Sequence, residues 1–212
     1  MNSGTAPLSE LWAQKAYVRF LLARVSGLTA NQMLMVAVAW HMYDLTSSAW
    51  DLGLVGLFQF MPALLVALPA GHVVDKFHRG RIFALCVFVQ ALVAVLLLAS
   101  IEWQFASRAL ILAVSVVLGT TRAFQMPAQQ ALTPTLVPMH LLPRAVALSS
   151  GSVQVAIIAG PALGGILYAQ GAGIVYLTAA GMLLAAALLS LFVRYAHRPS
   201  TQAATLQHLL AG

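Results

Sequence analysis

Apolar residues in this chain do not alternate with polar ones. They run on in six stretches, at residues 18–43, 52–74, 82–101, 109–132, 145–169 and 174–195, with short polar breaks between. Each stretch matches the roughly 20 apolar residues that an α-helix needs to cross the hydrocarbon core of a bilayer. The pattern predicts an all-α membrane protein, a six-transmembrane-helix bundle over 18–195, preceded by a lead at 1–17 and followed by the start of a loop at 196–212. In the lead, Ser9 is placed to cap a helix, and Leu8, Leu11, Trp12 and Tyr17 to lie in the membrane interface as an approach to the first span. The first apolar run is too long for a signal-peptide core, so it is expected to remain as a span.

Polar residues are shared unevenly among the spans. The first carries Arg24, Asn31 and Gln32, the second Gln59 and Pro62, the fourth Arg122 and Gln125, and the fifth Ser150, Ser152 and Gln154. Intramembrane polar groups face a bundle interior or a cavity, so these four are expected to be central. The third and sixth hold little beyond Gln90, Thr178 and Ser190. They are expected to be peripheral and to face lipid.

The breaks give the orientation. One set contains Lys15 and Arg19, then Lys76, Arg79 and Arg81, then Arg144, then Arg194 and Arg198; the other contains Asp44, Asp51 and Glu102 with Arg108 as its single basic residue. Positive residues stay inside, which puts both termini in the cytoplasm. Trp40, Tyr43, Trp50 and Trp103 then fall at the outer interface, and Trp12, Tyr17 and Tyr195 at the inner one.

Composition sharpens this reading by exclusion. At 61% hydrophobic and 8% charged residues, with a mean hydropathy of +0.89, the chain lies far from any soluble domain. Its net charge of +6 comes from residues that form no run with interleaved aromatics, so it marks topology and not nucleic acid. Cys86 stands alone and supports no disulfide. His41, His72, His78, His140, His197 and His208 are scattered without metal-binding spacing, so neither a metal nor a cofactor is implied. With no GxSxG elbow and no Walker loop, a membrane hydrolase or a nucleotide-driven pump is not expected, and the chain reads as a non-enzyme.

Three groups of residues are left to carry chemistry. Arg122 lies fourteen positions beyond Arg108, about 21 Å along a helix, which puts it inside the membrane; it either serves a function there or snorkels to the interface. Arg24, near the inner end of the first span, reads as a snorkelling residue. No acidic residue lies inside the six predicted spans, so a carboxylate proton relay is absent from them. In the fifth span Ser152, Ala156, Gly160 and Gly164 recur every four residues, with Pro161 and Gly165 beside them. That stripe is either a packing seam or a hinge. Pro127, Pro134, Pro138 and Pro143 terminate and steer the chain after the fourth span. The last group is the turn at 71–81, where Asp75 is the one acid on the basic side besides Glu10.

That turn resembles the loop motif G-x-x-x-D-R-x-G-R-R/K of the major facilitator superfamily, at the junction of its second and third helices. Gly71, Asp75 and Arg79 match the glycine, the aspartate and the first late arginine, and Lys76 stands for the early arginine. His78 and Gly80 depart from the motif, with Arg81 just beyond. Arg122-Ala123-Phe124-Gln125 is similar to the family's fourth-helix R-x-x-Q motif, and Gly160-Pro161-Ala162-Leu163-Gly164-Gly165 to the fifth-helix G-P-x-x-G-G motif of proton-exchanging exporters. The resemblance covers nearly the whole chain, as the amino-terminal six-helix half of a twelve-helix fold. Tyr43-Asp44-Leu45-Thr46, Met126-Pro127-Ala128 and Leu209-Leu210-Ala211-Gly212 resemble the siderophore and drug exporters related to the enterobactin exporter.

The resemblance implies a secondary transporter of the inner membrane that exports a small drug- or siderophore-like molecule by alternating access, in exchange for protons. Gly71, Asp75, Lys76, Arg79 and Arg81 would form the cytoplasmic gate. Arg122, Gln125, Asn31, Gln32 and Gln154 would serve the cavity and coupling. Gly160, Pro161, Gly164 and Gly165 would supply a helix bend. The implied partners are a small-molecule substrate, protons, the bilayer, and a carboxy-terminal half or a second copy of the chain. A non-transporting six-helix scaffold, or a truncated fragment of a transporter ending in the central loop, is the alternative.

Overall fold

The computed structural model describes residues 8–192; Arg194, Tyr195, His197, Arg198, His208 and the expected loop at 196–212 lie outside the described residues. A short helix, α1 (Leu8–Ala13), leads into six long ones: α2 (Lys15–Thr46), α3 (Ala49–Lys76), α4 (Arg79–Glu102), α5 (Arg108–Leu132), α6 (Leu142–Tyr168) and α7 (Ala172–Leu191). All six are long and apolar enough to cross a membrane. Each begins one to three residues before its apolar stretch, because caps and interfacial backbone bonds extend the helix into the polar break. Ser48 caps α3 by accepting from the Asp51 N–H, and Ser107 caps α5 by accepting from the Leu110 N–H, both at 3.3 Å. At the other end of α2, Ser47 takes a left-handed conformation (φ 49°) and closes the helix on the Tyr43 carbonyl.

The prolines act with less force than expected. Pro127 lies inside α5, which continues to Leu132, and Pro62 and Pro69 lie inside α3. Pro134 and Pro138 instead shape two 3-10 turns, Thr133–Thr135 and Met139–Leu141, and Pro143 sits in the first turn of α6. A spanning helix tolerates a proline when neighbouring helices shelter the freed backbone groups.

The lead is more than an approach. Helix α1 starts at Leu8, ahead of Ser9, and α2 starts at Lys15. Leu11 is fully buried, Glu10 meets His140 at 2.8 Å, and Tyr17 is buried with its hydroxyl donating to the Ala145 carbonyl at 2.8 Å. Tyr17 therefore pins α2 to α6 and does not float in the interface.

The bundle packs α3 on α5, α4 on α7 and on α5, and α2 on both α6 and α7. Small residues allow these approaches: lipid tails are as apolar as leucine, so helix association in a bilayer rests on close packing. Gly27 of α2 faces Ala186 of α7 and Val87 of α4, at 3.7 and 3.8 Å from an ideal Cβ position. A Cβ on Gly119 would lie 2.0 Å from the Gln59 carbonyl oxygen, so α5 and α3 touch backbone to backbone there.

This packing corrects the expected ranking of spans. Helices α4 and α7 are core elements, with Phe83, Val87, Gln90, Ala91, Ala94 and Leu97 buried on one and Val175, Tyr176, Ala179, Leu183 and Ala186 on the other. By contrast α3 buries Asp51, Val55, Ala70 and Val74, and α6 buries Ala145, Ser149, Ala156, Gly160 and Gly164. Polarity does not rank burial here, because an alanine-rich helix such as α7 packs closely through small apolar residues such as Ala179 and Ala186.

A polar cleft between three helices as candidate functional site

Helical spacing builds the site. Arg24, Leu28, Asn31 and Gln32 lie at i, i+4, i+7 and i+8 on one face of α2, while Arg122, Gln125, Met126, Gln129 and Gln130 repeat nearly the same pattern on α5. Together with Val153 and Ile157 of α6 they enclose a cleft of about 510 Å³, within the range of small-molecule sites. Grooves of similar volume between α4 and α7, and beside Phe58 and Leu65 of α3, have almost wholly apolar walls.

Two reciprocal contacts cross the cleft. Arg24 of α2 donates from Nε to Gln129 Oε1 of α5 at 3.1 Å, and Arg122 of α5 donates from Nη2 to Gln32 Oε1 of α2 at 3.1 Å. Arg24 also donates from Nη1 to Ser149 Oγ of α6, and Arg122 from Nη2 to Met35 Sδ at 3.1 Å. Behind the wall, Gln90 of α4 is fully buried and donates to Gln125 Oε1 at 2.8 Å and to Thr121 Oγ1 at 3.1 Å. A side chain read as a minor polar feature of a peripheral helix therefore fixes the orientation of a cleft residue.

Four of the expected cavity residues come together here: Asn31, Gln32, Arg122 and Gln125. Gln154 does not join them; it is exposed on α6, and Val153 and Ile157 take that wall. Arg24 corrects the snorkelling reading, since its guanidinium is bonded between α5 and α6. Its spacing of seven and eight residues from Asn31 and Gln32 was the available signal. Gln129 and Gln130 follow Arg122 at the same intervals and join the wall as well.

The glycine stripe of α6 acts as a packing seam against α2. A Cβ on Gly160 would lie 2.5 Å from Gln32 Cβ and 3.1 Å from the Thr29 carbonyl oxygen, and one on Gly164 would lie 3.0 Å from Met33 Cα. Pro161 sits within an uninterrupted α6, and Gly165 has open space on its Cβ side.

At the end of the bundle where the basic residues gather, Asp75 and Arg79 pair at 3.4 Å across the turn from α3 to α4, and Arg79 Nη1 donates to the Ala131 carbonyl at 3.3 Å. Arg79 thus ties the turn to the last residues of α5, two positions beyond Gln129. Lys76 and Arg81 are exposed, and Gly71 is half-buried with nothing within 4 Å of its Cβ position. At the opposite end Arg108 and Asp51 pair at 2.8 Å, and His41 Nδ1 meets the Tyr176 hydroxyl at 3.0 Å. Among the described residues no cluster of His, Cys, Asp and Glu is arranged to hold a metal.

Six helices long and apolar enough to cross a membrane, three of them enclosing a charged cleft, make this a multi-pass membrane protein. The chain belongs to the transmembrane secretion effector family of the major facilitator superfamily, whose family model matches residues 2–209. It is 26% identical over 140 residues to a staphyloferrin A transporter of Staphylococcus aureus, an alignment covering 66% of this chain and 35% of that protein. It is 26% identical over 157 residues to macrolide efflux protein A of Streptococcus pyogenes, covering 74% of this chain and 38% of the relative. The chain therefore spans little more than a third of the length of these relatives. Family and relatives are transport proteins, which points away from an enzyme.

Proposed function

We propose that this chain forms one half of a secondary transporter that exports a small molecule by alternating access, in exchange for protons. The observation that carries this reading is the half-buried cleft in which Arg24 and Arg122, on facing helices, meet neutral amides of the opposite wall. Charged groups inside a membrane are costly and sit where substrate or ions pass. The other half of the pathway would come from a second six-helix unit, in the same polypeptide or from a second copy, rocking against this one around the cleft. The expected location is the inner membrane, with both termini cytoplasmic.

In this scheme Asp75, Arg79 and Arg81, with Gly71 and Lys76, serve a gate at the cytoplasmic end. Asp75 pairs with its own half in one state and with the opposing half in the other. The link from Arg79 to Ala131 would pass that change to the α5 wall of the cleft. Asn31, Gln32, Gln125 and Arg122 contact substrate, and Gln154, exposed on α6, is assigned to the face met by the second unit. Pro161, with Gly160, Gly164 and Gly165, lets α6 bend as the cleft opens.

The relatives' names make macrolides and staphyloferrin A the first substrates to test. Everted membrane vesicles carrying the protein should accumulate one of them when a pH gradient is imposed and lose it on adding a protonophore. Full flux in both Asp75→Ala and Arg122→Ala would remove these role assignments. An oligomeric state that brings no second six-helix unit to the cleft would favour a scaffold instead.

A further inference from the structure

The cleft between α2, α5 and α6 holds two guanidiniums and no carboxylate. All five acidic residues of the chain lie elsewhere. Glu10 meets His140, Asp44 accepts from Tyr168, Asp51 pairs with Arg108, Asp75 pairs with Arg79, and Glu102 is exposed at the end of α4. The partners of Arg24 and Arg122 are a hydroxyl, a thioether and two amide oxygens, all neutral. A guanidinium in a low-dielectric site is stabilised far more by an anion than by such groups. Its five donors are also not used up: both bonds of Arg122 leave from Nη2, so Nε and Nη1 are left for a ligand.

The placement of the two charges narrows the ligand further. Arg24 stands level with Gln129 and Arg122 with Gln32, and the eight residues from Arg24 to Gln32 rise about 12 Å along α2. The guanidiniums therefore face the cleft from opposite walls at two depths. Arg24 also borders a second, smaller cavity of about 170 Å³ lined by Gln130, Thr133, Ser149 and Ser150, so it and Gln130 line both spaces. Amides line the cleft between the charges, while Leu28, Met126, Val153 and Ile157 offer apolar contact for a carbon skeleton.

We propose that this cleft takes an organic anion, its acidic groups held by Arg24 and Arg122. The proposal rests on the transport reading above and names the substrate class of that site. A molecule with an acid group at each end engages both arginines at once, and Arg24 meets it first from the basic end of the bundle.

The test is binding to the full chain in nanodiscs of phosphatidylcholine, with carboxyfluorescein as the anionic probe, citrate as its competitor and tetraphenylphosphonium as the cationic probe. Carboxyfluorescein is expected to bind and citrate to displace it. Arg24→Gln and Arg122→Gln should each weaken binding about tenfold or more. Arg24→Lys and Arg122→Lys keep the charge and should retain part of the affinity, which separates loss of charge from loss of fold. Binding of tetraphenylphosphonium in place of the anion, no binding of the anion, or unchanged affinity in the glutamine variants would overturn the proposal. So would displacement of the probe when phosphatidylglycerol replaces phosphatidylcholine, because the cleft would then be taking a lipid headgroup. Arginine-dependent binding without flux in vesicles would defeat the transport reading and leave this inference standing; flux of the cation alone would do the reverse.

Discussion

Arg122 Nη2 donates to Gln32 Oε1 at 3.1 Å, and the same Gln32 is the residue on which Gly160 of α6 rests. A methyl group on Gly160 would meet Gln32 Cβ at 2.5 Å, a contact with the stem of the side chain that no rotation of its far end relieves. Gly160→Ala should therefore displace α6 or Gln32 and cost about 1–3 kcal/mol, as overpacking of a close contact does. Gly165→Ala is the control: its Cβ side is open, so it should be neutral or stabilise by up to about 1 kcal/mol through helix propensity. Thermal unfolding of the two variants in detergent measures the difference, and equal melting temperatures would rule out the seam.

Gln90 gives a prediction whose sign separates two views of α4. On a helix facing lipid, Gln90→Leu would remove a polar group from hydrocarbon and stabilise the protein. Here Gln90 is fully buried and donates to Gln125 and Thr121, so the same change leaves the Gln125 acceptor unpaired and should cost about 1–3 kcal/mol. It should also weaken whatever ligand Gln125 contacts. A rise in melting temperature would restore the peripheral assignment.

The six spans were legible because run length is a property of a single helix, and Asn31, Gln32, Arg122 and Gln125 because each is a polar residue inside an apolar run, which the family resemblance then placed in one cavity. What the sequence hid depends on pairs of helices. Whether α4 and α7 are core or periphery is decided by close approaches such as Ala186 of α7 and Val87 of α4 meeting Gly27 of α2, and small apolar faces look the same whether they meet lipid or protein. Arg24 was misread for a related reason: a long cationic side chain near a helix end can reach water or a neighbour, and only the position of Gln129 and Ser149 settles which. Gln154 is the converse case, a polar residue on an inner-facing helix that turns away from the cleft.

Orientation is open to direct measurement because Cys86 is the only cysteine and is buried. In a Cys86→Ala background, Ser47→Cys and Lys76→Cys place single exposed thiols at opposite ends of the bundle. With both termini in the cytoplasm, a membrane-impermeant maleimide added to intact cells should label Ser47→Cys, and Lys76→Cys only after the membrane is opened. The reverse pattern would invert the topology and place the Asp75 turn outside.

Asp75 and Arg79 differ in what they hold, and stability should separate them before any transport is measured. Their ion pair spans 3.4 Å between an exposed carboxylate and a largely buried guanidinium, a type worth about 0.3–0.5 kcal/mol. Asp75→Asn should therefore leave the melting temperature nearly unchanged. Arg79→Ala also removes the bond to the Ala131 carbonyl at the end of α5 and should cost about 1 kcal/mol or more. A gate role adds a second readout: Asp75→Asn should stop or slow flux in vesicles while the fold is intact, because the residue's second partner belongs to the other state. If Asp75→Asn lowers stability and flux together, Asp75 is a structural brace; if it lowers neither, the turn serves topology alone.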